Sequence, residues 1–229
     1  MNVPRRRGLQ KRVAEALQPM GFTAISGVSF TRQVGEQLHY VDLQYRRSCS
    51  EITFNLGCHF AGIPSLFDYR EVGAGNLEGL DCGLRCRIGH YIGDGFRDVW
   101  WDPDNSEVPR VLVQVCGAID RAFKDCMKKW GSDGKQLLLS HVKNRAGDIR
   151  LSRPLLRWML PQWRFSRFAF VALLAHQHGN DALASAYCEK AMAEDFAAII
   201  DYLQLPALLK VKRKKSKDRK KSIGSRKPD

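Results

Sequence analysis

The sequence predicts an α+β protein: an antiparallel sheet flanked by helices, then a helical C-terminal extension and a disordered basic tail. Three observations carry that reading. Apolar residues recur at helical spacing before residue 21 and again after residue 107. Between those stretches, runs of period-two alternation separated by short polar links suggest a meander. Lastly, the charge is unevenly placed. From Lys210 onward eleven Lys and Arg stand against Asp218 and Asp229, a net of +9 out of the chain's +13, which leaves the preceding 209 residues only +4.

The first helix is expected around Leu9, Val13, Ala16, Leu17 and Met20, with Gly21 as its stop and Pro4 near its start. Strand periodicity follows. Phe22–Ile25 and Val28–Arg32 are broken by Ser26-Gly27, and residues 39–45 place Val41, Leu43 and Tyr45 on one face. In residues 51–60 the alternation is clearest: Ile52, Phe54, Leu56, Cys58 and Phe60 share one face and Thr53, Asn55, Gly57 and His59 the other. A Gly-rich loop over 61–79 leads to a further run with Cys82, Leu84, Cys86 and Ile88 on one side and Gly83, Arg85, Arg87 and Gly89 on the other.

A long helix is then expected, capped by Asp104, Asn105 or Ser106, with Pro109 in its first turn. Its stripe is Leu112, Val115, Cys116, Ile119, Phe123, Cys126, Met127 and Trp130, and Gly131 to Gly134 end it. From about residue 150 the chain reads as helical. Ser152 starts a short helix through Leu160, and Phe165–Gln177 and Asp181–Leu205 form a hairpin around His178-Gly179-Asn180, similar to one tetratricopeptide-like pair. A lone pair lacks stacked neighbours, so it is expected to pack on the first domain. The division is therefore 1–134 for the α+β domain, 150–206 for the helical extension and 207–229 for the tail.

The succession Leu9 to Met20, Gly21-Phe22, Phe30-Thr31-Arg32, Leu43-Gln44, Phe54-Asn55-Leu56-Gly57, Cys86-Arg87-Ile88-Gly89 and Asp98-Val99-Trp100-Trp101 forms a pattern. Over roughly residues 5–130 it resembles the bacterial family catalogued as domain of unknown function forty-three-oh-four. The resemblance implies a small α+β domain of unestablished function and brings no catalytic residues with it.

Composition narrows the setting. No apolar run approaches the roughly 18 to 20 residues that span a bilayer. The basic start is followed by no apolar stretch of the signal-peptide kind. Seven scattered cysteines, an odd number, do not form a secreted disulfide framework, so a cytoplasmic protein with free thiols is expected.

Each motif with chemical potential has a plainer structural reading. Cys82 and Cys86, with His90 after them, invite a metal, but on a strand the two thiols stand about 13 Å apart, beyond one ion's reach. Cys58 and His59 are neighbours on a strand and point to opposite faces, which rules them out as a thiol–base pair. His176 and His178 have the wrong spacing for shared ligation on a helix. Asp94, Asp98, Asp102 and Asp104 with Trp100 and Trp101 could form an acidic, aromatic-lined site for a metal, a sugar or a basic partner, or the paired carboxylates of an enzyme; the alternative is a loop whose tryptophans pack on the sheet while its aspartates cap turns and helix ends. Arg32 and Gln44 are either buried polar residues or recognition groups on a sheet face.

No catalytic residues, cofactor or metal are assigned. The leading expectation is a non-enzymatic binding protein, an immunity-type inhibitor recognising a protein partner, with Asp94, Asp98, Trp100, Trp101 and Asp102 as candidate contacts. The alternative is a nucleic-acid-associated protein. Its phosphate contacts would be Lys212, Arg213, Lys214, Lys215, Lys217, Arg219, Lys220 and Lys221, a cluster without the aromatics that base stacking requires.

Overall fold

The structure, a computed structural model, describes residues 3–46, 51–66, 68, 70–92, 98–102, 107–138, 158 and 164–193. Helix α1 (Val3–Leu17) runs into a 3-10 turn (Gln18–Met20) and stops at Gly21, where the sequence places its end. Five strands follow in a simple antiparallel meander: β1 (Thr23–Ala24), β2 (Ser29–Val34), β3 (Gln37–Tyr45), β4 (Ile52–Phe60) and β5 (Leu84–Arg87). Helix α2 (Val108–Trp130) comes next, then α3 (Arg164–Gln177) and α4 (Asp181–Ala193). The fold is α+β, as the periodicities indicate.

The register sorts the strand side chains into two faces. Phe30, Val41, Leu56 and Cys86 form one cross-strand row, and Arg32, His39, Cys58 and Leu84 the next. This face is covered by α1, through Leu9, Val13 and Leu17, and by the apolar stripe of α2 from Leu112 to Trp130. That stripe has the three- and four-residue spacing which puts it all on one side of the helix. Trp158 completes the layer, its ring centroid 5.7 Å from those of Phe123 and Trp130.

The helical pair packs at the far end of β4. Phe170 of α3 lies 6.2 Å from Phe60, ring to ring, and closes onto Gly83. A Cβ at Gly83 would sit 2.2 Å from the Phe170 ring, so only glycine permits this contact. Gln177 donates to the Ala61 carbonyl (2.8 Å), and His178 Nε2 meets the Asp133 carbonyl at 2.9 Å. Core residues of α3 and α4 join the same hydrophobic cluster as the sheet. The expected short helix from Ser152 and the part of the hairpin beyond Ala193 lie outside the described residues, apart from Trp158.

One expectation needs correction. Cys82 does not share a face with Leu84 and Cys86. The strand begins at Leu84, and Cys82 belongs to a second, smaller cluster with Leu38, Tyr40, Val72 and Leu77 on the opposite face. The loop over 70–82 folds back across that face, with Thr31 Oγ1 donating to the Ala74 carbonyl. Cys82 therefore approaches the sheet from above, over Gly57, where a Cβ would stand 2.3 Å from its sulfur. Alternation holds only while the backbone is extended, and the turn at residues 79–81 ends that condition.

No described helix is long and apolar enough to cross a membrane. All six cysteines in the described residues are free thiols.

Candidate functional site

The loop covers only part of the second face, and the remainder is an open groove of about 970 Å³. Its floor is built by register. Ser29 on β2, Asp42 on β3, Asn55 on β4 and Arg87 on β5 stand directly opposite one another in a single row across four strands. The adjacent row holds Thr31, Tyr40, Gly57 and Arg85. Gln44 lies one step to the other side, opposite Thr53. A meander of four strands thus turns four separate polar alternations into a continuous polar surface.

Hydrogen bonds connect this floor in a defined direction. Arg87 Nη1 donates to Gln44 Oε1 (2.6 Å) and to Asn55 Oδ1 (2.7 Å). Asn55 Nδ2 donates to Asp42 Oδ2 (3.1 Å) and Gln44 Oε1 (3.0 Å). Asp42 Oδ1 accepts from Ser29 Oγ at 3.4 Å, and the Ser29 and Tyr40 hydroxyls are 3.0 Å apart. An ionised carboxylate only accepts and a guanidinium only donates, so Asp42 at one end and Arg87 at the other fix the Asn55 amide between them. Tyr40 completes the chain as a donor to Ser29. Burial, with smaller opposing and reinforcing influences from Ser29 and Asp42, pushes its phenol up to about 12, so it keeps its proton throughout the neutral range.

The walls come from the loop. Arg70 pairs with Asp81 and with Asp68 (3.3 Å), and Asp81 also accepts from the Glu78 backbone N–H at 2.8 Å. These contacts pin the segment from Asn76 to Leu80 along the groove's rim, where Leu80 is 57% exposed. Cys82 beneath it is a poor nucleophile, because burial raises its thiol well above the ordinary range.

Sequence-predicted residues divide among several places. Arg32 lies on the core face: its guanidinium stacks over Phe22 (4.6 Å) and Phe123 (5.4 Å), and donates to His39 Nδ1 (3.0 Å) and the Met20 carbonyl (2.7 Å). It is a half-buried residue engaged within the core face, whereas Gln44 lines the groove. In the 98–102 segment, Trp101 pairs its backbone with Ile52 (2.8 and 2.9 Å) and sets its ring edge-on to Phe54. Arg46 lies over the Trp100 ring at 5.5 Å. Asp98 reaches Arg87 Nε at 3.6 Å, at the groove's edge, and Asp102 is exposed. Trp101 therefore serves the sheet, and Asp98 reaches the polar floor through Arg87. Asp94, Asp104 and the basic tail from Lys212 to Lys221 lie outside the described residues.

The two buried histidines, His59 and His39, are accounted for by packing. His59 Nε2 faces the Ile63 carbonyl (2.9 Å) while its Nδ1 accepts from the Gly83 N–H (3.3 Å). His39 is held by Arg32 and by Gln37 Oε1 (2.9 Å), its ring stacked 4.0 Å from that of Phe123. His90 Nδ1 stands 3.7 Å from Cys86 Sγ. Among the described residues, no group of three or more His, Cys, Asp or Glu is placed to hold a metal ion.

Sequence reasoning missed Asp42, Asn55, Arg85 and Arg87 as site residues. Their signal was present: each stands on the polar alternation of its strand, and a meander order brings them together. Comparison with protein-family models, with curated proteins and with solved structures found no match to this chain.

Proposed function

We propose that the protein is a non-enzymatic binding protein that recognises a partner protein through the polar face of its sheet. A partner with toxic activity would make it an immunity-type inhibitor. The carrying observation is the Ser29–Asp42–Asn55–Arg87 row, with its side chains fixed by mutual hydrogen bonds on an open groove. Side chains held in one geometry before binding lose little freedom on association, which favours recognition. The groove's chemistry points the same way. Its shifted groups, Tyr40 and the adjoining Cys82, are moved by burial away from reactivity rather than towards it.

The test is capture of a stoichiometric partner from native lysate by the full chain, compared with an Asn55→Leu variant of the same thermal stability. Capture by the wild type and loss with the variant support the reading. Equal capture by both, or by neither, contradicts it.

A further inference from the structure

Three guanidinium groups line the groove, and they are held in different ways. Arg70 is neutralised by carboxylates, Asp81 and Asp68. Arg87 is oriented instead by neutral amide oxygens, those of Gln44 and Asn55, which accept its hydrogen bonds without cancelling its charge. Its one carboxylate neighbour among the described residues, Asp98, stands off at 3.6 Å and is 48% exposed, a geometry in which ion pairs contribute little. Arg85 is similar: Nη2 donates to the Leu80 carbonyl (2.7 Å), and Nε has no acceptor among the described residues. Asp42 lies two strands from Arg87 and reaches it only through the Asn55 amide, with no direct ion pair between them. Its oxygens are engaged by Ser29 and Asn55, so it aims the network and leaves the arginine charge standing.

Arg85 and Arg87 are thus two positioned, incompletely neutralised cations. They are separated by one residue of an extended strand, about 6 to 7 Å along the chain, and face the same side. An extended peptide repeats its own side chains at that spacing. We propose that the groove receives an acidic segment of the partner, in which carboxylates at positions i and i+2 meet Arg85 and Arg87. Planar guanidinium suits this task because it takes carboxylate oxygens in pairs, and the oxygens of Gln44 and Asn55 already set the Arg87 plane. This deepens the preceding proposal and rests on it.

The experiment uses the full chain and a fluorescein-labelled peptide of alternating Asp and Gly, read by anisotropy at low salt. An Asn-Gly peptide of equal length is the neutral control. The basic tail is present in every sample, so only differences among groove variants count. Expected results are preference for the Asp peptide, weakening of about tenfold or more in both Arg85→Gln and Arg87→Gln, and perturbed arginine Nε–H signals in the wild-type NMR spectrum. Unchanged affinity in both variants, or unperturbed arginine signals, overturns the proposal. So does an RNA oligonucleotide whose binding falls equally in the two variants, since that indicates a phosphate-backbone site. If the peptide fails while Asn55→Leu still loses the captured partner, the acidic segment falls and the binding reading stands. If the peptide binds and no partner is captured, the reverse holds.

Discussion

Two fully buried histidines make the fold sensitive to acid, and the effect has a calculable size. His59 is 0% exposed, and burial, partly offset by the Ile63 carbonyl and Asp81, lowers its pKa from 6.5 to about 4. His39 is 1% exposed; burial and then the neighbouring Arg32 charge lower it to about 3. Both rings are neutral in the folded protein, each accepting a hydrogen bond on Nδ1. Below pH 6.5 the unfolded chain takes up two protons that the folded chain refuses, so stability falls with pH. Each histidine contributes about 1.4 kcal/mol of loss per pH unit, and the pair together about 4 kcal/mol at pH 5 relative to pH 8. That is a large part of the roughly 5–15 kcal/mol by which domains are ordinarily stable. The loss continues until the folded rings protonate, near pH 4 for His59 and pH 3 for His39. Urea unfolding at pH 8, 7, 6 and 5, with imidazole Cε1–H titration by NMR, measures both sides of the linkage. Two ring signals that fail to titrate above pH 5, with a midpoint falling below pH 6.5, are the expected result. If every histidine signal titrates near 6.5, the buried hydrogen-bonded arrangement is refuted.

Other outcomes follow from particular contacts. Gly83→Ala puts a methyl group 2.2 Å from the Phe170 ring and is expected to destabilise by about 1–3 kcal/mol in urea unfolding, with Phe170→Leu restoring part of the loss. Arg32→Lys keeps the charge but loses the planar stack on Phe22 and Phe123 and the bond to His39, lowering stability by about 1–3 kcal/mol in calorimetry. Deletion of residues 210–229 removes a net charge of +9 and is expected to abolish any salt-dependent binding of an RNA oligonucleotide while leaving partner capture intact. Retained oligonucleotide affinity would place that binding on the folded body.

How much of this was legible beforehand depended on whether a feature was local or cross-strand. The helical stripe of α2 is local, and burial followed it at Leu112, Val115, Ile119, Phe123, Cys126 and Trp130, whereas β4 alternates in sequence but is buried on both faces except at Asn55. The Trp101 ring went to the sheet, one of the two readings its loop allowed. The groove was not legible in that way. Asp42, Asn55 and Arg87 are ordinary polar positions on three strands, and only the register makes them partners. Nor does periodicity distinguish Arg32 from Gln44: both sit beside apolar residues, and their faces differ because their strand positions have opposite parity in the paired register. The misplaced Cys82 shows the same limit, since an alternation was extended through a turn that breaks it.

If the polar sheet face is the binding surface, a partner bound there lies within reach of site-specific photocrosslinks placed on the groove's rim. A photoreactive residue at Leu80, exposed on the groove's rim, is compared with one at Val113, 74% exposed on α2 at the opposite layer. The expected result is a single crosslinked partner from Leu80 and none from Val113. Crosslinking of that partner from Val113 and not from Leu80 would contradict it.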